Sequence, residues 1–415
     1  MQPVHSHLER AVLVAVDSGE YDPIRSLAEL AELADTAGAE VIDSFVQSRP
    51  SPDTATFVGE GKLQEIQIFC EENQIDLLIF DEELTGSQIR NIETITGLKV
   101  IDRTTLILDI FAQRARSHEG RLQVELAQQK YRLPRLIGMG QQLSRLGGGI
   151  GTRGPGETKL ESDRRHIRRR IHALEEALEE LSAQRARTRE RRKKNNAITV
   201  ALVGYTNVGK STLLNQLTAS DVYVQNQLFA TLDPTARELI LPNGQHIILI
   251  DTVGLIQRLP HQLIEAFHST LEAAADADII LNVCDYTSID ADKQLDVTRN
   301  LLAELGCGDT PIITVYNKID RATDPVPQSN NRAVFLSALD PATFPPLFEA
   351  IEHVLSGRIC TLNLLIPYSD GSALHLIREH GQVQDIQYQD DGIRVCASIP
   401  KQYQHALAEY QIATF

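Results

Sequence analysis

No apolar run in this 415-residue chain approaches the roughly 18 residues that a membrane span requires. Its opening, MQPVHSHLERAVLVAVDSGE, lacks a basic head, an apolar stretch and a small-residue cleavage site, so no secretion signal is expected. Cysteine is sparse. Cys70, Cys284, Cys307, Cys360 and Cys396 are widely spaced, odd in number and form no C-x-x-C pair. That pattern argues against a disulfide framework or a zinc site and for a reducing cytoplasm. No repeat of fixed period and no low-complexity tract occurs. Positive charge is scarce except in one place: residues 103–194 hold 22 Lys/Arg against 11 Asp/Glu, whereas the remainder holds 18 against 45. An acidic protein with a single basic segment usually aims that segment at an anionic partner, a solvated charged helix being the plainer alternative.

The length allows two to four domains. Over residues 11–101, the apolar runs 11–16, 39–46, 76–80 and 98–102 alternate with segments of helical spacing, which predicts a parallel sheet covered by helices. Residues 103–135 read as two helices broken near Ser117–Gly120. A glycine-rich stretch follows, LGGGIGTRGPGE, and then a long helix with a seam at Leu160, Ile167, Ile171, Leu174, Leu178 and Leu181. The preceding helix has a seam at Leu122, Leu126, Gln129 and Leu133, and the two are expected to pack antiparallel as an arm ending in the basic run RRKKNN. From Ala197 the strand–helix alternation resumes, with strands at 198–204, RELILP, HIILID, 278–285, 311–317 and 333–338. The tail reads strand–helix–strand–strand–helix. The expected division is an N-terminal α/β domain (1–103), a helical arm (104–196), an α/β domain with a mostly parallel sheet and helices on both faces (197–357), and a small α+β domain (358–415).

The third of these carries the chemistry. Gly204, Tyr205, Thr206, Asn207, Val208, Gly209, Lys210 and Ser211 fit G-x-x-x-x-G-K-[ST], between a buried strand and a helical pattern that Thr212 continues. Glycines let the backbone N–H groups turn inward around a β-phosphate, and the following helix adds positive potential. Lys210 would reach the β- and γ-phosphates and Ser211 would ligate magnesium. Val58-Gly-Glu-Gly61-Lys62 is a decoy, lacking the first glycine and the final Ser/Thr. Gly149, Gly151 and Gly154 match G-x-G-x-x-G, but no strand leads into them.

Asp251, Thr252, Val253 and Gly254 form D-x-x-G at the end of a strand, where a carboxylate suits the outer shell of magnesium and a glycine N–H can approach a γ-phosphate. In the loop Phe229-Ala230-Thr231-Leu-Asp-Pro-Thr235, Thr231 is the expected second magnesium ligand and Thr235 the alternative. Asn317-Lys318-Ile-Asp320 would select the base. A carboxylate at 320 can accept from both N1–H and the exocyclic amine of guanine, whereas adenine has no N1 proton. Asn317 would bond the purine edge, the Lys318 stem would cover the ring, and Ser337, Ala338 and Leu339 would offer backbone contacts. Four motifs in order, each at a strand end, imply a P-loop GTPase fold that binds and hydrolyses GTP with Mg2+, with Lys210, Thr231 and Gly254 at the reacting phosphates. Small GTP switches orient water with a glutamine directly after D-x-x-G; here Leu255 stands there, so intrinsic turnover is expected to be slow unless Gln257 or Arg258 substitutes.

GYTNVGKST, LFATLDPT, DTVGLIQRLPHQLIEAF and NKID together resemble the HflX family of translation-factor-class GTPases. The resemblance continues upstream through FVGEGKL, RTTLILDIFAQRARSHEGRLQVELAQ and LGGGIGTRGPGETKLESDRR, covering most of residues 40–356. Membership would imply the large ribosomal subunit and its RNA as partner, ribosome-stimulated hydrolysis and splitting of stalled or idle ribosomes under stress. The glycine-rich tip flanked by Arg145, Arg153 and Lys159 would point at RNA. The expected protein is a cytoplasmic monomer, in part peripherally membrane-associated. A regulatory switch acting on a protein partner, and an RNA remodeller with an ATP-binding N-terminal region, are the alternatives. The final guanine motif continues S-A-L-D-P without the glycine often found there.

Overall fold

Buried parallel strands read as continuous apolar runs because both faces are covered, and the computed structural model builds the inner strands of its two large sheets from such runs, while the edge strands Ala39–Ser48 and Thr235–Ile240 are largely exposed. It describes residues 8–136, 155–194, 198–218, 228–229, 233–256, 258, 274–356 and 359–412. The chain divides into two compact units: 1–182 with 225–233 and 257–268, and 183–224 with 234–256 and 269–415. Among the described residues no helix is long and apolar enough to cross a membrane.

The first unit holds a four-stranded parallel sheet in the order β2-β1-β3-β4, formed by β1 (Glu9–Asp17), β2 (Ala39–Ser48), β3 (Leu77–Phe80) and β4 (Lys99–Asp102). Between β1 and β2 runs α1 (Pro23–Ala37), started by the Asp22 carboxylate, which accepts from the Ile24 and Arg25 N–H groups, and ended by Gly38 at φ 91°. Helices α2 (Glu60–Asn73) and α3 (Gly86–Thr96) complete the crossovers. Val12, Val14, Val16, Leu63, Ile66, Leu78 and Phe80 form the core. Helices α4 (Arg103–Arg114) and α5 (His118–Arg135) follow, and α4 packs on both α1 and α5.

Charge gathers at the carboxyl ends of these strands. The fully buried Asp81 accepts from Ser26 Oγ (2.6 Å), Arg103 Nη1 (2.9 Å) and Arg258 Nη2 (2.5 Å). Asp102 accepts from the Leu84 N–H (3.0 Å) and Arg135 (3.0 Å) and also bonds the Tyr131 hydroxyl. Burial, with Asp102 beside it, pushes the Tyr131 hydroxyl pKa well up. Residues from far along the chain complete this unit. Phe229 meets Phe111 edge to face at 4.6 Å, and Asp233 accepts from the Arg116 and Ser117 N–H groups (2.9 and 2.8 Å).

The long helix α6 (Pro155–Lys194) starts inside the glycine-rich stretch. Its seam buries Leu174 fully and half-buries Ile167, Ile171, Leu178 and Leu181. The expected antiparallel pairing with α5 does not hold. Glu125 pairs with Arg170 (2.6 Å) and Lys130 with Glu175 (2.9 Å), so partners advance in the same direction along both helices. Heptad-like seams fix which faces meet and leave direction open. The intervening segment 137–154 could reach about 60 Å if extended, more than the ~27 Å length of α5, so its length permits either sense.

The second unit contains a six-stranded sheet in the order β10-β9-β8-β5-β7-β6. Its strands are β5 (Ile198–Gly204), β6 (Thr235–Ile240), β7 (His246–Asp251), β8 (Ile279–Asp285), β9 (Ile312–Asn317) and β10 (Ala333–Phe335). Every neighbouring pair is parallel except β6 with β7. Helices α7 (Lys210–Thr218), α8 (Ala291–Glu304) and α9 (Pro345–Ser356) lie in the connections. Strand order reverses between β5 and β8, and in open α/β sheets ligands settle at the carboxyl ends of strands flanking such a reversal. The C-terminal segment adds an antiparallel sheet, β11 (Ile359–Ile366), β13 (Gly392–Pro400) and β12 (Gln382–Gln389), with α10 (Gly371–His380) against it. Its expected final helix is two short 3₁₀ turns, Lys401–Tyr403 and His405–Tyr410.

Candidate functional site

Gly204 ends β5 at φ 149°, and a Cβ there would stand 2.1 Å from the Val283 carbonyl oxygen on β8. Gly209, at φ 96°, faces the Asn317 side chain, where a Cβ would lie 2.3 Å from Nδ2. Asn207 takes the left-handed conformation at φ 59°, which asparagine tolerates better than most residues. Both glycines are therefore required by close approach, and the loop between them curls over the start of α7.

Lys210 opens α7 with its ammonium buried, donating to the carbonyls of Gly204 (3.0 Å) and Tyr205 (2.6 Å). Burial lowers its pKa from 10.5 to about 8, an effect the Asp251 carboxylate partly opposes. Ser211 Oγ donates to Asp251 Oδ2 at 2.7 Å, bringing hydroxyl and carboxylate together. Thr252 Oγ1 donates to the Leu202 carbonyl (2.7 Å). The Leu255 N–H donates to Gly204 O (3.0 Å) and the Thr206 N–H to Leu255 O (2.7 Å), which ties the D-x-x-G segment to the phosphate loop. A Cβ on Gly254 would strike Thr206 Cγ2 at 2.7 Å. The Leu255 side chain is buried in the core and presents nothing to polarise a water.

Asn317 joins this half of the site to the other. Its Nδ2 donates to the Val208 carbonyl (2.7 Å) and its Oδ1 accepts from the Ala338 N–H (2.8 Å). Ser337 Oγ donates to Asp320 Oδ1 (2.6 Å) and accepts from the Leu339 N–H (3.3 Å). A hydrogen-bonded path thus runs from the phosphate loop through Asn317 and the 337–339 segment to Asp320. Although S-A-L-D-P lacks a glycine, the loop is held by Thr343, whose Oγ1 accepts from the Ser337 N–H (3.0 Å).

Ala230 and Thr231 lie outside the described residues, as do Gln257 and the glycine-rich tip with Arg145 and Arg153. Phe229 is described, its ring buried against Phe111 in the first unit. Arg258 also belongs to the first unit, its guanidinium on Asp81 and 3.9 Å from the Tyr21 ring centre. One residue beside these motifs escaped the sequence reading. Asp285, the last residue of β8, reaches the Lys318 ammonium at 2.8 Å. Its only sequence signal is an acidic residue closing an apolar strand.

The depressed Lys210 pKa has a measurable consequence. Phosphates brought to this ammonium, as the loop's sequence leads one to expect, would restore the charged form, so nucleotide binding at pH 8 should take up about half a proton, and affinity should fall as pH rises further. Calorimetry of GDP binding in buffers of different ionisation heat measures this; equal heats in all buffers at pH 8 would contradict it. The unfolded lysine keeps its ordinary pKa and binds more protons between about 8 and 10.5. This group therefore adds to stability as pH rises through that window.

Three family models match the chain: "GTP-binding GTPase N-terminal" over 24–112, "GTP-binding GTPase Middle Region" over 114–192 and "50S ribosome-binding GTPase" over 199–318. The GTPase HflX of Caldanaerobacter subterraneus is 52% identical over 413 residues, spanning 100% of this chain and 96% of that relative. The GTPase HflX of Escherichia coli is 42% identical over 369 residues, 88% and 87% of the two chains. A GDP-bound GTP-binding protein from Sulfolobus solfataricus is 25% identical with a TM-score of 0.47, covering 84% of this chain and 99% of that one.

Proposed function

The chain belongs to the HflX family of GTPases, and from that premise we propose that its GTP cycle drives binding to, and splitting of, stalled or idle ribosomes. GTP hydrolysis is the activity of the family. The single observation that carries the site assignment is the Asn317 side chain, which bonds the phosphate loop with one atom and the base loop with the other. In this reading Lys210 and the 204–211 loop take the β- and γ-phosphates, and the Gly254 N–H meets the γ-phosphate. Asp320, Asn317, Lys318 and the Ser337-Ala338-Leu339 backbone take guanine. The donor set suits magnesium, since a hydroxyl and a carboxylate 2.7 Å apart are hard oxygen ligands. Ser211 and Thr231 would hold the ion directly with Asp251 behind them, and the ion would neutralise charge on the transferring phosphoryl group.

With Leu255 turned into the core, no residue directly after D-x-x-G orients water, so the resting rate is slow and a partner must complete the machinery. The family model over 199–318 is described as ribosome-binding, and the basic segment 103–194 offers charge for RNA phosphates. The four-part division at 103, 196 and 357, and a cytoplasmic location, belong to the same proposal. Purified large ribosomal subunits should raise GTP turnover at least about tenfold, and binding to them should weaken steeply with salt. No stimulation over a range of subunit concentrations would remove the ribosome from this reading. A flat salt response would favour a protein partner instead.

A further inference from the structure

Lys318 is the one residue of the N-K-x-D segment whose backbone is left-handed, at φ 65°. A long side chain in that conformation is held there by its surroundings. Its stem ends on Asp285: Nζ lies 2.8 Å from Oδ2, and both side chains are less than one-fifth exposed. Asp285 is itself immobilised. Its other oxygen, Oδ1, accepts from the Thr287 N–H (2.9 Å) and Thr287 Oγ1 (2.7 Å). In the sheet it pairs with Asn317, and the next residue, Tyr286, donates its N–H to the Asn317 carbonyl (2.9 Å). The Tyr286 ring stands edge-on to Phe335 and Tyr316, which are stacked on each other at 4.7 Å. Burial pushes the Asp285 carboxyl pKa up, but the bonds from Lys318 and Thr287 outweigh it and leave the group below its usual range.

A lysine stem has four rotatable bonds, and ordering it as one wall of a purine slot costs binding free energy unless its far end is already fixed. We propose that Asp285 is a positioning residue for guanine recognition, clamping the Lys318 ammonium so that the stem is set before the base arrives. This rests on the reading of N-K-x-D as the guanine segment. The clamp touches neither phosphate nor reacting water. Its loss therefore weakens GTP and GDP equally and leaves turnover at saturation alone.

The test measures the affinity of the full-length protein for fluorescent GTP and GDP, with steady-state kinetics. Asp285→Asn keeps shape and removes charge, and should weaken both nucleotides about tenfold, raise KM alike and leave kcat within about twofold. Asp285→Glu should recover part of the loss. Lys318→Met keeps an apolar stem and leaves Asp285 intact, so it reports on the clamp even where Asp285 variants fold poorly. It should lose affinity to the same degree, and combining it with Asp285→Asn should add little. Unchanged or tighter binding in Asp285→Asn, a fall in kcat at constant KM, or full additivity would overturn the proposal. Asp320→Asn separates the two levels: if it fails to shift base preference the guanine reading is at fault, and if it succeeds while Asp285→Asn is silent only the clamp is.

Discussion

Asp320→Asn is expected to weaken GTP by about 100- to 1,000-fold and to make XTP the preferred nucleotide. Guanine offers two donors, N1–H and the C2 amine, and a carboxylate accepts both. An asparagine amide can accept only one and turns an N–H against the other. Two charge-assisted bonds at about 1.5–3 kcal/mol each set the scale of the loss. Xanthine carries a carbonyl at C2, so the same amide pairs with it on both atoms. The structure favours a clean outcome. Ser337 Oγ donates to Asp320 Oδ1, and an asparagine oxygen at that position can still accept that bond, so the loop need not move. Competition between GTP and XTP for the purified variant decides it; undiminished guanine preference would detach Asp320 from the base.

The other large effect is on stability. Asp81→Ala removes a fully buried carboxylate to which Ser26, Arg103 and Arg258 all donate. Removing one side of a buried ionic network costs about 3–5 kcal/mol, because desolvated cations stay behind with less compensation. For a unit of this size that is about a 10 °C fall in its melting temperature. Arg103 keeps its bond to Glu29 (2.6 Å), which places the loss toward the lower end. Thermal denaturation followed by near-ultraviolet circular dichroism would register it. A shift under about 2 °C would mean that the network contributes little beyond packing.

The inner strands of the two large sheets were legible because burial on two faces leaves apolar runs, as in AVLVAV and, broken only by Asn282, IILNVC. The phosphate loop was legible for another reason: close approach at Gly204 and Gly209 permits no side chain, so spacing carries chemistry there. Features that depend on what lies across the fold were not. Phe229 sits in a stretch that reads as nucleotide-facing, and only the neighbouring Phe111 explains its burial. The sense of α6 against α5 depends on charge register, which a hydrophobic seam does not encode. Asp285 looks like any acidic residue closing a strand until Lys318 is found beside it.

The first unit is not one continuous stretch of chain, and that governs the order in which it can be finished during synthesis. The first 182 residues of the chain contain the strands of the sheet, α1–α5 and both members of the Asp81–Arg103 pair. The guanidinium that completes Asp81 is made 177 residues after it, and the ring that covers Phe111 more than a hundred residues after that phenylalanine. The last native contacts of the amino-terminal half thus wait until translation is well into the second.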